Sequence, residues 1–180
     1  MKETETECVE IPEVEVQLVK SSTIHGTQVL RNSDKVFELF QKRADLMDRE
    51  CVYMLCLRTD TSMINYSIVS IGSHGCAVIE PCEILRVAIL SCASGIILVH
   101  THPSGNIRPS KEDVKVTDRL SRACAICGIQ LVDHLILGRG NPEHYSFQRH
   151  DNISGRDICL EVDAEKLNIR KVAEEESMFY

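Results

Sequence analysis

Residues 97–113 read Ile97-Leu98-Val99-His100-Thr101-His102-Pro103-Ser104-Gly105-Asn106-Ile107-Arg108-Pro109-Ser110-Lys111-Glu112-Asp113. The apolar run that begins at Gly95 suits the middle of a sheet. Pro103 stops it from continuing as an interior ladder, and Gly105 permits a sharp reversal. Ser110 can then cap a helix running to about Cys127, where Gly128 ends it. The following segment, Ile129 to Leu137, is a second apolar strand. Strand, helix and strand in this order predict a crossover unit in an α/β fold.

Working outward, "CVYMLCLR" and "INYSIVSI" flank the polar "TDTS" and read as a β-hairpin. A helix is expected over Glu83–Cys92, after Pro81. Another runs from Ser33, as its cap, to about Ala44, with Val36, Phe37, Leu39 and Phe40 on one face. Val14, Val16 and Leu18 alternate with Glu15 and Gln17 and predict a first edge strand. The fold class expected is α/β, a single mixed β-sheet with helices on its faces. The chain divides into an acidic, flexible terminus over 1–13, one domain over 14–150, and an extension over 151–180 with a short strand, "DICLEV", and a charged helix.

The 180 residues are 43% hydrophobic, enough for one sizeable core. A net charge of −7 argues against a general phosphate-binding surface, because DNA binding draws on Lys and Arg. Val87 to Val99 is broken by Ser91, Ser94 and Gly95 and falls short of the roughly 20 residues of a membrane span. The opening "MKETETECVE" has glutamates where a secretory signal carries positive charge, so the cytoplasm is the expected compartment. Most of the nine cysteines sit in apolar runs as core residues. Only Cys124 and Cys127 have the spacing of a metal or redox pair, without a second pair to complete a zinc site.

Side chains at i and i+2 of an extended segment share a face, so His100 and His102 can aim at one point beyond the sheet. Asp113, in the first turn of the returning helix, can add a carboxylate. Two imidazoles and a carboxylate leave a coordination position open for water, as catalytic zinc sites do. Ser110 and Asp113 also fit a capping box, which alone shows only a helix start. The joint spacing, H-x-H, seven residues, S, two residues, D, is harder to obtain from capping.

That spacing resembles the signature of the JAMM (MPN) metalloproteases, and "HTHPSGNIRPSKED" resembles their RadC branch. The likeness extends over roughly 46–147, through "EPCEILRVAILSCASGIILV" and "TDRLSRACAICGIQLVDHLILG". It implies an α-β-α sandwich of cytidine-deaminase type, with zinc as cofactor held by His100, His102 and Asp113. It further implies Glu50 as general base and Ser110 as a hydrogen-bond donor to the oxyanion. His134 and Asp133 are placed to support the metal ligands from behind, because such histidines usually give their other N–H to a carboxylate or carbonyl. Thr101 stands where these chains usually have asparagine, Arg58 where aspartate is common, and Cys82 where arginine is common. His25, His74, His144 and His150 lie in polar surroundings and read as surface residues.

Three functions are compatible with these residues. The leading one is zinc-dependent hydrolysis of a peptide or isopeptide bond in a protein or peptide substrate, with "GSHG" and "GRGNPEHY" as rims of the cleft. The same donors could form a facial triad for non-haem iron and oxygen chemistry. A non-catalytic DNA-associated or scaffolding module with a structural metal is the third, its DNA link resting on family resemblance alone.

Overall fold

Helix α1 (Ser33–Leu46) forms because Val36, Phe40 and Ala44 recur at every fourth position and build one buried stripe. Its cap is Asn32 rather than Ser33: the Asn32 side chain accepts from the Lys35 amide at 3.0 Å, and Ser33 becomes the first helical residue. The two are neighbours and both cap well, so composition does not choose between them. The computed structural model describes residues 15–23, 30, 32–72, 79–150 and 153.

The hairpin follows as β1 (Cys51–Leu57), buried throughout, and β2 (Met63–Ile71). Asp60 Oδ1 accepts the Ser62 amide at 2.9 Å, and Thr61 takes a positive φ of 64° to close the turn. Helix α2 (Pro81–Leu90) starts at its proline, two residues before the predicted start, because a proline at the first helical position lacks only an amide that would be unpaired anyway. Strand β3 (Gly95–His102) runs on through both histidines, further than its apolar run suggests. Helix α3 (Lys111–Ile126), strand β4 (Gln130–Gly138) and the short β5 (His144–Ser146) complete the order.

The five strands form one mixed sheet in the order β2-β1-β3-β4-β5. Strand β1 is antiparallel to both neighbours, β3 and β4 are parallel, and β5 returns antiparallel. Each face carries a core. Val52, Met54, Ile96 and Leu98 pack with Ile84 and Ala88 of α2 and Leu120 of α3. Tyr53, Leu55, Ile97 and Val99 pack with Val36 and Phe40 of α1. The result is the α/β sandwich expected. The crossover through α3 returns its N-terminus to the carboxyl end of β3, where open α/β sheets place ligands.

The predicted first edge strand is not found. Residues 15–23 pair with no strand among the described residues, and Val16 is 68% exposed. Alternation alone does not make a strand; ladder hydrogen bonds are also required, and among the described residues the segment is tied to β2 by a side-chain bond between Ser22 Oγ and Tyr66 OH at 3.0 Å. Val14, the terminus over 1–13, the late strand and the charged helix lie outside the described residues. No helix among the described residues is long and apolar enough to cross a membrane.

Candidate metal centre

His100 and His102, two apart on β3, project to the α3 side, where their rings meet edge to face with centroids 4.6 Å apart. Both are buried. The Asn106 carbonyl lies 2.7 Å from His102 Nδ1, which fixes that proton and leaves Nε2 as the donor atom facing the site. The loop supplying Asn106 is pinned to the end of β4. Gly105 has φ +77° and its carbonyl accepts from Asn141 Nδ2 at 2.9 Å. A Cβ on Gly138 would overlap the Gly105 backbone.

Asp113 enters from the first turn of α3. The capping box is complete: Ser110 Oγ accepts the Asp113 amide at 3.1 Å, and Asp113 Oδ2 accepts the Ser110 amide at 2.7 Å and its hydroxyl at 2.6 Å. The other oxygen, Oδ1, lies 2.9 Å from His100 Nδ1. Capping and site placement are therefore one arrangement. The helix cap aims the carboxylate.

Glu50 comes from the residue before β1, whose antiparallel register sets Val52 opposite His100. Its Oε2 lies 3.5 Å from His100 Nε2, and its carbonyl accepts the Gly72 amide at 2.8 Å. Thr101, pointing to the other side of β3, braces this strand start: its Oγ1 accepts the Cys51 amide at 3.1 Å and donates to the Cys51 carbonyl at 3.3 Å. One ligand atom from each of Glu50, His100 and His102 lies within 4.8 Å of the others, so this cluster can hold a metal ion. His102 Nε2 is 3.9 Å from Asp113 Oδ2. The structure thus brings Glu50, His100, His102 and Asp113 together, with Ser110 beside Asp113.

The electrostatics match a site built for a cation. Burial opposes protonation of His100, but the Asp113 and Glu50 carboxylates outweigh it and push the imidazole up to about 9. Burial alone would raise Asp113; contact with His100 and Ser110 instead holds it below the ordinary carboxylate range. His102 is held down by burial and by the neighbouring His100. Both nitrogens of His100 are buried without a well-aligned hydrogen bond, with a carboxylate close to each. Glu50, His100 and His102 offer a carboxylate and two imidazoles to one point, a donor set that fits zinc, while Asp113 meets His100 at its other nitrogen.

Residues 30–153 match the RadC-like JAB domain. The chain belongs to that family. A UPF0758 protein of Thermotoga maritima is 39% identical over 124 residues, covering 69% of this chain and 54% of its own. A UPF0758 protein of Streptococcus gordonii is 35% identical over 137 residues, covering 76% of this chain and 59% of its own. One from Chlorobium chlorochromatii is 40% identical over 113 residues, covering 63% and 50%. The chain spans about half the length of the curated relatives it matches.

Within this RadC-like JAB domain the residues expected behind the metal part company. Asp133 faces the α1 layer, lining a recess with Leu30, Val36 and Ile97. Its oxygens accept from the His134 amide, the Ser146 hydroxyl and the Gln148 amide, so it ties β4 to β5 rather than supporting a metal ligand. His134, one residue on, faces α3 and lies parallel to His100 with centroids 6.2 Å apart. The carbonyl that does orient a site histidine, Asn106, was not anticipated; backbone acceptors leave no residue-type signal. His144, expected at the surface, is stacked on Phe37 at 5.0 Å with its side chain 6% exposed. Of the predicted rims, residues 73–78 lie outside the described residues, whereas Asn141 helps secure the histidine loop.

Proposed function

We propose that this RadC-like JAB domain is a zinc-dependent hydrolase of amide bonds, acting on a peptide or isopeptide bond in a protein or peptide substrate. The observation that carries the reading is His100: buried, with neither ring nitrogen in a directed hydrogen bond, and flanked by carboxylates at 2.9 and 3.5 Å. His100, His102 and Asp113 would hold the zinc. Zinc bound there would lower the pKa of water and polarise a carbonyl.

The chain's own groups would do the rest. Glu50 takes the proton of the attacking water at Oε2 and delivers it to the leaving nitrogen. Ser110 turns its hydroxyl from Asp113 towards the developing oxyanion, while its amide keeps Asp113 in place. His102, fixed by Asn106, keeps its ring orientation throughout. A cytoplasmic setting belongs to this reading, and the six described cysteines are all unpaired.

Glu50 can serve as base or as a further ligand, since it reaches the histidines as Asp113 does. Metal analysis of protein purified without added metal, combined with hydrolysis of peptide and isopeptide libraries, separates these roles. As the base, Glu50→Gln retains zinc and loses turnover. Loss of zinc in that variant makes it a ligand, and iron in the purified protein with no hydrolysis overturns the proposal.

A further inference from the structure

His134 is completely buried on β4, beneath the first turns of α3. Its Nδ1 lies 2.7 Å from Thr117 Oγ1, and the same hydroxyl donates to the Asp113 carbonyl at 2.5 Å. A carbonyl only accepts, so the single Thr117 proton goes to Asp113. The hydroxyl must then accept from His134, which places the histidine proton on Nδ1. Nε2 is left as a buried lone pair without a hydrogen-bond partner.

That tautomer is costly, because a buried acceptor goes unmet, and packing alone gives no reason to keep it. What the ring provides is one directed N–H aimed at α3. Leu120 and Cys124 hold the rest of that helix face to the sheet by apolar contact, which resists separation but not sliding. The bond from His134 through Thr117 ends on the backbone of Asp113 itself. The ring is held flat against Phe147, centroids 4.9 Å apart and planes 7° from parallel, so the donor cannot swing.

We infer that His134 is a positioning residue: acting through Thr117, it sets the height of the first turn of α3 over β3 and thereby seats the Asp113 carboxylate opposite His100. This rests on the reading of Asp113 as a metal ligand. Burial holds the His134 pKa well down, which keeps the ring neutral and the tautomer single.

Nitrogen NMR of histidine-labelled, metal-free protein reads the tautomer directly, and zinc affinity by chelator competition reads the seat of Asp113. The expected result is a protonated Nδ1 and bare Nε2 on His134 across pH 6–8.5. Thr117→Val, similar in shape but without the hydroxyl, should weaken zinc binding about tenfold. Thr117→Ser should recover most of that loss. A protonated Nε2, or unchanged zinc affinity in folded Thr117→Val, overturns the inference. Should Thr117→Val not fold, the tautomer decides. If the wild-type chain binds no zinc, the proposed function fails, and the metal-free tautomer still tests the hydrogen-bond chain by itself.

Discussion

Asp113 divides its two oxygens between His100 and Ser110: Oδ1 stands 2.9 Å from the His100 imidazole, while Oδ2 receives the Ser110 amide and hydroxyl. The residue that starts α3 also charges the site. Asp113→Asn should therefore preserve most of the helix and lower zinc affinity by more than about tenfold. Circular dichroism and chelator competition on one preparation check both halves. Undiminished zinc binding would remove Asp113 from the ligand set.

Ser110→Ala separates capping from chemistry. Loss of the cap should cost about 1 kcal/mol of stability in denaturant unfolding. If the hydroxyl also serves the oxyanion, kcat falls on the order of 100-fold or more. A fall in rate no larger than the stability loss explains would leave Ser110 as a cap.

Zinc bound as proposed would displace the proton that Asp113 and Glu50 hold on His100, whose pKa is pushed up to about 9. Binding at pH 7.5 should release close to one proton from this residue, and affinity should rise with pH towards 9. Calorimetry in buffers of differing ionisation enthalpy measures the release. No net proton release at pH 7.5 would contradict a protonated His100.

Without metal, stability should peak near neutrality. The raised pKa of His100 stabilises the fold fully below its unfolded value of 6.5, and that contribution is lost as pH rises towards 9. His102 and His134 are shifted downward, so their contribution is present above 6.5 and lost as pH falls below it. Urea unfolding of chelator-treated protein should show the fall on the alkaline side as on the order of 2 kcal/mol. Stability that keeps rising to pH 9 would refute the charge assignment.

Gly138→Ala places a methyl group against the Gly105 backbone. The histidine loop must shift, at a cost on the order of 1–3 kcal/mol. Thermal unfolding should report it, with weaker zinc binding as Asn106 leaves His102.

What was legible in the sequence followed local rules. His100 and His102 share a face by strand alternation, and Ser110 with Asp113 is a spacing read within one helix turn. Glu50 is different: only the β1–β3 register, with Val52 opposite His100, brings it in, and no local pattern encodes a pairing across that separation. Resemblance supplied it. The strand expected at 14–18 shows the converse error, since alternation was present and residues 15–18 still form no ladder with a described strand. Asp133 and His134 were paired in expectation as neighbours, yet neighbours on a strand face opposite layers, and one went to each.

The three proposed metal donors arise from a single strand, loop and helix start, and Glu50 arrives from the start of the hairpin. With Glu50 as the base, grip and reactivity have separate structural origins. If Glu50 is the base, a descendant that changed only the residue before β1 would stay loaded and inert, a metal-carrying fold available for recognition without hydrolysis.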